Sequence, residues 1–162
     1  MTGSGRWFRG ALAGFLGGLL AAGAMSLAHR LVGEMIPKPE APPAPQQQDD
    51  STVKVASQAL RLVGRSLDEG DKPLAGTIVH YAFGAGVGMV YGALAEVVPR
   101  VSAAVGLPFG VAVWLGAHVI TVPALGLAEP PTRQPLGKEG WEFVLHLIYG
   151  VTTELGRRLL RG

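Results

Sequence analysis

Four stretches of this chain, about 10–32, 74–98, 103–127 and 141–160, are predominantly apolar. Each approaches the roughly 20 residues that a helix needs to cross the hydrocarbon of a bilayer. Nothing else in the sequence constrains the fold as much, because backbone polar groups inside lipid must be satisfied by the spanning segment itself. The expected fold is all-α: a polytopic membrane protein of four transmembrane helices with glycine-rich packing seams, forming a single membrane domain over 1–162. Composition agrees, since 48% of the 162 residues are hydrophobic and only 16% charged, an unusual balance for a soluble domain. The 24 glycines follow no collagen-like period and concentrate in the apolar runs, which points to close helix packing in lipid.

Arg6 and Arg9 precede the first run, which contains "AAGAM" and so resembles a signal peptide. Its apolar core is longer than a signal h-region and further spans follow, so an uncleaved helix is expected. The last run carries Glu142, His146, Thr152, Thr153 and Glu154, and is expected to insert against the other helices. Arg6, Arg9, Arg100, Arg157, Arg158 and Arg161 lie tight against helix ends on one side, whereas the basic residues of the other side are diluted among acidic ones. The lysine and arginine bias acts most strongly close to the spans, so both termini are expected in the cytoplasm.

The only long connection, 33–73, is expected outside. Its first part, "PKPEAPPAPQQQDD" (37–50), reads as an extended spacer. After it, Val53, Ala56, Leu60, Val63 and Leu67 share one helical face, predicting an amphipathic helix over about 52–67, capped by Asp50 or Ser51 and ended by Gly70. That helix either lies on the membrane surface or covers the outer mouth of the bundle. Pro99 breaks a tight hairpin between the second and third runs, and Pro123 predicts a kink near Thr121. "HYAFG" (80–84) and "HLIYG" (146–150) echo each other, as a duplicated two-helix unit would.

Within "HYAFGAGVGMVYGALAE" (80–96), His80, Gly84, Gly88, Gly92 and Glu96 fall every four residues and form one ridge. The first run repeats the pattern with Gly10, Gly14, Gly18, Ala22 and Ser26, and the fourth with Glu142, His146, Gly150, Glu154 and Arg158. Small residues at this spacing let helices approach backbone to backbone, so the glycines are expected to form a packing seam.

All four histidines, His29, His80, His118 and His146, fall in or at the ends of the runs, one per run. With alternating helix direction they share one layer on the outer side. Glu96 and Glu154 fall near the inner face, each with an arginine four residues on, Arg100 and Arg158; these are expected to pair at the headgroup level. His29, beside Arg30, is expected to be interfacial. For His80, His118 and His146 four readings stand open. They hydrogen-bond across helix seams as neutral imidazoles. They titrate near an unperturbed pKa of ~6.5 and sense acid, or relay protons toward Glu154 or Glu96. Two of them hold a haem b. Three of them bind zinc or another divalent metal.

No nucleophile–base–orienter set, phosphate loop or "HExxH" occurs, and Gly84, Gly86 and Gly88 make no dinucleotide fingerprint without a strand before them. The chain is therefore not expected to be an enzyme. It has no cysteine, which excludes disulfides and thiolate metal sites. The net charge of +2 and pI near 9.2 come from flanking arginines without a basic stripe, so nucleic acid is not an expected partner. The expected partners are the lipid bilayer and a homo-oligomer or membrane complex.

"HYAFGAGVGMVYGALAEVVPR", "GLPFGVAVWLGAHVITVPALGLAEPP" and "HLIYGVTTELGRR" resemble the YagU-like family of bacterial inner-membrane proteins over 80–158, about half the chain. The positions that match are His80, Glu96, Pro99, Arg100, His118, Pro123, His146, Glu154, Arg157 and Arg158. The resemblance implies a location in the bacterial inner (plasma) membrane, oligomerisation, and, as in one member, a link to survival in acid. The family domain has no assigned biochemistry. The leading expectation is thus a membrane factor in acid or envelope-stress tolerance, with a haem- or metal-binding electron-transfer module and a structural partner subunit as alternatives.

Overall fold

The computed structural model describes residues 3–35 and 49–161, which are helical with no strand among them. Helix α1 (Gly3–Met35) is followed by α2 (Ser51–Leu62) and α3 (Lys72–Ala95). A rod then combines α4 (Leu107–Val113), a π-helical turn (Trp114–Thr121) and α5 (Val122–Ala124), and α6 (Leu136–Arg161) completes the bundle. Most of the proline-rich spacer, 37–48, lies outside the described residues.

Where four spans are expected, three stretches are long and apolar enough to cross a membrane: Gly5–Val32, Glu69–Ala95 and Pro99–Ala124. The fourth, α6, has the length at 26 residues, but it carries Glu139, Glu142, Glu154, Arg157, Arg158 and Arg161. Those charges are what separate it from the other three.

The bundle is packed inside out relative to a soluble protein. Buried apolar positions are mostly alanines, Ala13, Ala21, Ala22, Ala85 and Ala95, while Leu12, Leu20, Phe83, Val90 and Ile120 face outward. Among the described residues the largest fully buried side chains are Leu145, Glu154 and Thr153. Such a surface suits lipid, into which large apolar groups need not be hidden.

Small residues set the helix spacing. α1 packs along both α3 and α6, and α6 packs on α4. Gly14 meets Gly88 and Gly92, and Gly18 meets Gly84, so α1 and α3 run antiparallel with backbones in contact. A Cβ on Gly88 would lie 2.8 Å from the Cα of Gly18 and one on Gly92 2.8 Å from that of Gly14. Gly150 has the same relation to α4, where a Cβ would stand 2.7 Å from Gly110 Cα, and Gly17 of α1 abuts Thr153 of α6. Between α3 and α4 the wall is closed by rings: Tyr91 and Phe109 stack with centroids 4.0 Å apart.

Several expected boundaries are corrected. α3 stops at Ala95, short of 98, because the N–H groups of Val97 and Val98 both turn back to the Leu94 carbonyl (3.0 and 2.8 Å). The third helix begins at Leu107 and not 103, since Ala103 is extended and Ala104, Val105 and Gly106 are left-handed (φ 47°, 55° and 82°). Two consecutive non-glycine residues there, one of them β-branched, cost energy. The turn drops the backbone of Gly106 onto Gly150 and the Glu154 Cβ.

The amphipathic helix ends at Leu62 and not 67, because Gly64 (φ 72°) closes it: Gly64 N–H bonds Arg61 O and Arg65 N–H bonds Leu60 O, the paired bonds of a Schellman end. Val63 is consequently exposed, while Val53 and Ala56 are buried. α2 packs on α3, and Lys54 Nζ donates to the Leu127 carbonyl at 2.9 Å, so α2 covers one end of the bundle. In the rod the disturbance expected at Pro123 is spread over the π-helical turn before it. There the Thr121 hydroxyl donates to the Gly116 carbonyl at 2.6 Å, a side-chain bond within the widened turn.

Gly88→Ala should lower the thermal unfolding midpoint in detergent, with an overpacking cost of about 1–3 kcal/mol. Gly86→Ala, where a Cβ meets nothing within 4 Å, should leave the midpoint unchanged or raise it, because alanine favours helix by up to ~1 kcal/mol. Equal responses at the two positions would contradict the seam.

Candidate functional site

Polar side chains gather at both ends of the bundle. At the end covered by α2, an open cavity of about 810 Å³ is lined by His29 of α1, Lys54 of α2, His80 of α3, His118 of the rod and Glu142 of α6. A smaller cavity of about 70 Å³ lies deeper, between His80, His146, Phe83, Val113 and Tyr149. His118 and His146 are close neighbours, with ring centroids 5.7 Å apart and planes tilted by 54°. His118 Nε2 is 3.0 Å from Glu139 Oε2, which ties the rod to the first turn of α6. His146 Nδ1 donates to the Glu142 carbonyl one turn earlier at 2.7 Å, so its proton sits on Nδ1 and Nε2 is left to the cavity side. His80 Nε2 approaches the Ala22 carbonyl at 3.4 Å.

The opposite end holds the two glutamates. Glu154 is fully buried and accepts four hydrogen bonds. Tyr91 Oη (2.8 Å) and Arg157 Nε (2.7 Å) donate to Oε2, and Arg157 Nη2 (2.9 Å) and Arg158 Nε (2.5 Å) to Oε1. These fill the roughly four acceptor positions that a carboxylate offers. Glu96, whose side chain is 4% exposed, pairs with Arg161 and lies 3.6 Å from Arg157 and 3.9 Å from Arg6. Arg6 Nη2 also donates to the Glu96 backbone carbonyl at 3.1 Å, and Arg158 Nη2 to that of Ser102 at 3.0 Å.

Two expected pairings change. Glu96 does not pair with Arg100: α3 ends at Ala95, the four-residue ladder is lost, and Arg100 is exposed with no ionic partner among the described residues. Glu154 does pair with Arg158, but it is fully buried and shares its carboxylate with Arg157 and Tyr91. Tyr91, Arg157, Glu139 and Arg161 complete these clusters and were missing from the ladder pattern. Arg157 was visible as the i+3 neighbour of Glu154. Tyr91 and Glu139 act across helices, at sequence separations of 63 and 21 from their partners, which no local spacing reports.

The chemistry available follows from these contacts. His80, His118 and His146 share a neighbourhood, yet among the described residues no group of three or more histidine or acidic side chains could hold a metal ion. A haem needs two imidazoles facing each other across a flat slot, whereas His118 and His146 abut directly. A proton wire from the histidines to Glu154 is also poorly provided for. The Tyr149 hydroxyl is committed to the Gly84 carbonyl (2.6 Å) and the Thr153 hydroxyl to the Tyr149 carbonyl (2.8 Å), and Glu154 has no acceptor position to spare. A histidine pair beside open space at one end and fixed ion pairing at the other are what the geometry offers.

Glu154→Gln removes the carboxylate that Arg157 and Arg158 share, leaving Arg157 only Glu96 at 3.6 Å, and should cost about 3 kcal/mol, the low end for a broken buried pair. Tyr91→Phe should cost about 1.5–3 kcal/mol, the worth of one hydrogen bond to a charged group. Arg100→Gln should cost nothing measurable. Thermal unfolding of the three variants in detergent checks all of this, and a loss at Arg100 as large as that at Tyr91 would overturn the assignment of partners.

His80, His118, Glu139, His146 and Glu154 lie on the elements from α3 to α6, and Glu96 directly follows α3. Neither a curated protein nor a solved structure matches the chain. A family model does match, over residues 38–155, and its description is "Protein of unknown function (DUF1440)". Because that match takes in well over half of the sequence, including every one of these elements to the Glu154 position, the chain belongs to the DUF1440 family.

Proposed function

We propose that this chain is a non-catalytic bacterial inner-membrane protein that responds to acid outside the cell and contributes to acid or envelope-stress tolerance, with His80, His118 and His146 as its protonatable elements. The observation that carries this reading is the meeting of His118 and His146, from two different helices, with His118 lining the open cavity at one end of the bundle and His146 the smaller one. In the proposed topology α6 is the fourth span, its charges turned onto Tyr91 and Glu96 and away from lipid. Both termini and the arginine end face the cytoplasm, and the histidine end faces out. The resemblance of 80–158 to the YagU-like proteins supports the same reading.

Imidazole is the side chain best suited to gain charge between neutral and acid pH, so the histidine end is where acid outside the cell is proposed to act. His29 and Arg30 of α1, Asp49, Asp50 and Lys54 in and before α2, His80 of α3, Glu129 before α6, and Lys138 and Glu142 of α6 face the same cavity. A charged His118 converts its hydrogen bond with Glu139 into an ion pair, while a charged His146 beside it is repelled. The joint between rod and α6 is therefore where acid acts. Sensing fits better than conduction, because the hydroxyls between the two ends are spent on backbone carbonyls.

Cells carrying His118→Gln, His146→Gln or Glu139→Gln should survive an acid challenge no better than cells lacking the protein, with membrane levels of each variant unchanged. Survival equal to that of the wild type in all three would sink the reading. The absence of cysteine makes topology directly testable. A membrane-impermeant maleimide should label Thr132→Cys in intact cells and Ala103→Cys only after permeabilisation; the reverse pattern would overturn the orientation.

A further inference from the structure

The arginine end of the bundle carries a surplus of fixed cationic donors. Among the described residues six arginines, Arg6, Arg9, Arg100, Arg157, Arg158 and Arg161, surround only two carboxylates, Glu96 and Glu154, and no lysine stands among them. Each guanidinium has five N–H donors, whereas each carboxylate offers about four acceptor positions. Both carboxylates are turned inward and nearly or fully buried. They cannot consume the outward donors, which are displayed chiefly on Arg6 and Arg158, with side chains 58% and 49% exposed.

Buried carboxylates here act as anchors. Glu96 gathers Arg6, Arg157 and Arg161 from the start of α1 and the end of α6, and Glu154 gathers Arg157 and Arg158. The forks are held in place before any ligand arrives, so less side-chain entropy is lost on binding. Planar forks of this kind match a phosphate with two parallel N–H···O bonds. Beside them Trp7, Phe8, Leu159 and Leu160 are exposed, side chains suited to the zone where headgroups meet acyl chains.

We infer that this end is a binding site for the phosphate of an anionic phospholipid, with Arg6, Arg158 and Arg161 as its donors and Trp7 and Phe8 against the acyl region. The inference rests on the membrane location proposed above and not on the histidines. A lipid is favoured over a free anion because the charge surplus and the apolar side chains are adjacent, and only a lipid engages both.

The test uses the full chain in nanodiscs of phosphatidylcholine with graded phosphatidylglycerol, and lipid retention read by native mass spectrometry. Phosphatidylglycerol should be retained preferentially. Arg6→Gln and Arg161→Gln should each weaken retention about fivefold, the factor that corresponds to roughly 1 kcal/mol per basic side chain near a surface. Arg9→Gln with Arg100→Gln, outside both the buried ion pairs and the three donors, supplies a second variant whose folding is not at risk, and it should weaken retention less than either single donor variant, through general surface charge alone. Arg61→Gln and Arg133→Gln, at the other end, should change nothing. Unchanged retention in all the arginine-end variants overturns the inference, as does equal loss in the controls. Displacement of the lipid by millimolar inorganic phosphate would also overturn it, assigning the site to a small anion. A chain that fails to enter nanodiscs at all would instead contradict the membrane reading.

Discussion

Glu154 is the constraint around which the bundle is arranged. A carboxylate with no exposure, in a shell otherwise made of apolar helices, costs several kcal/mol unless its charge and lone pairs are all met. Meeting them takes a tyrosine from α3 and two arginines from its own helix, while the left-handed turn before α4 seals it from below. Three elements therefore have to converge at one point. The positions of α3, α6 and the 99–106 turn follow from that convergence, and so does the placement of Glu96, whose own arginine, Arg157, is shared with Glu154.

Convergence at that point demands close helices, which is where the glycines enter. α1 touches α3 through Gly14, Gly18, Gly88 and Gly92, and α6 touches α4 through Gly110 and Gly150. With backbones in contact, little room is left for large side chains, and the interior is filled with alanine, a few rings and the polar face of α6. The large aliphatic groups are displaced outward. An inside-out distribution is thus a direct consequence of packing distance.

The parts of this arrangement that depend on one helix alone were legible in the residues. Helix number and order follow from apolar runs, and the four-residue spacing of Gly84, Gly88 and Gly92 marked the face that α1 covers. The i+4 relation of Glu154 and Arg158 was correctly paired. The ladder failed at Glu96 and Arg100 because the spacing rule holds only while the helix continues, and α3 unwinds one residue before Glu96. The further partner of Glu154 was missed for a related reason: a sequence shows that an ion pair is possible, but not that Tyr91 of another helix donates to the same carboxylate. Likewise the partner of His118 is Glu139, across a loop rich in proline, and no periodicity connects the two.

The placement of α6 bears on how the chain is assembled. Its charges make it a poor segment to enter lipid alone, and it comes last among the described elements. By the time it leaves the ribosome, α1, α3 and the rod have already been made, and with them the Tyr91 hydroxyl, the Glu96 carboxylate and the glycine surfaces that receive it. Chain order thus lets the charged helix meet its partners as soon as it is made: the earlier segments serve as its solvent, and the last helix joins the bundle by docking onto protein.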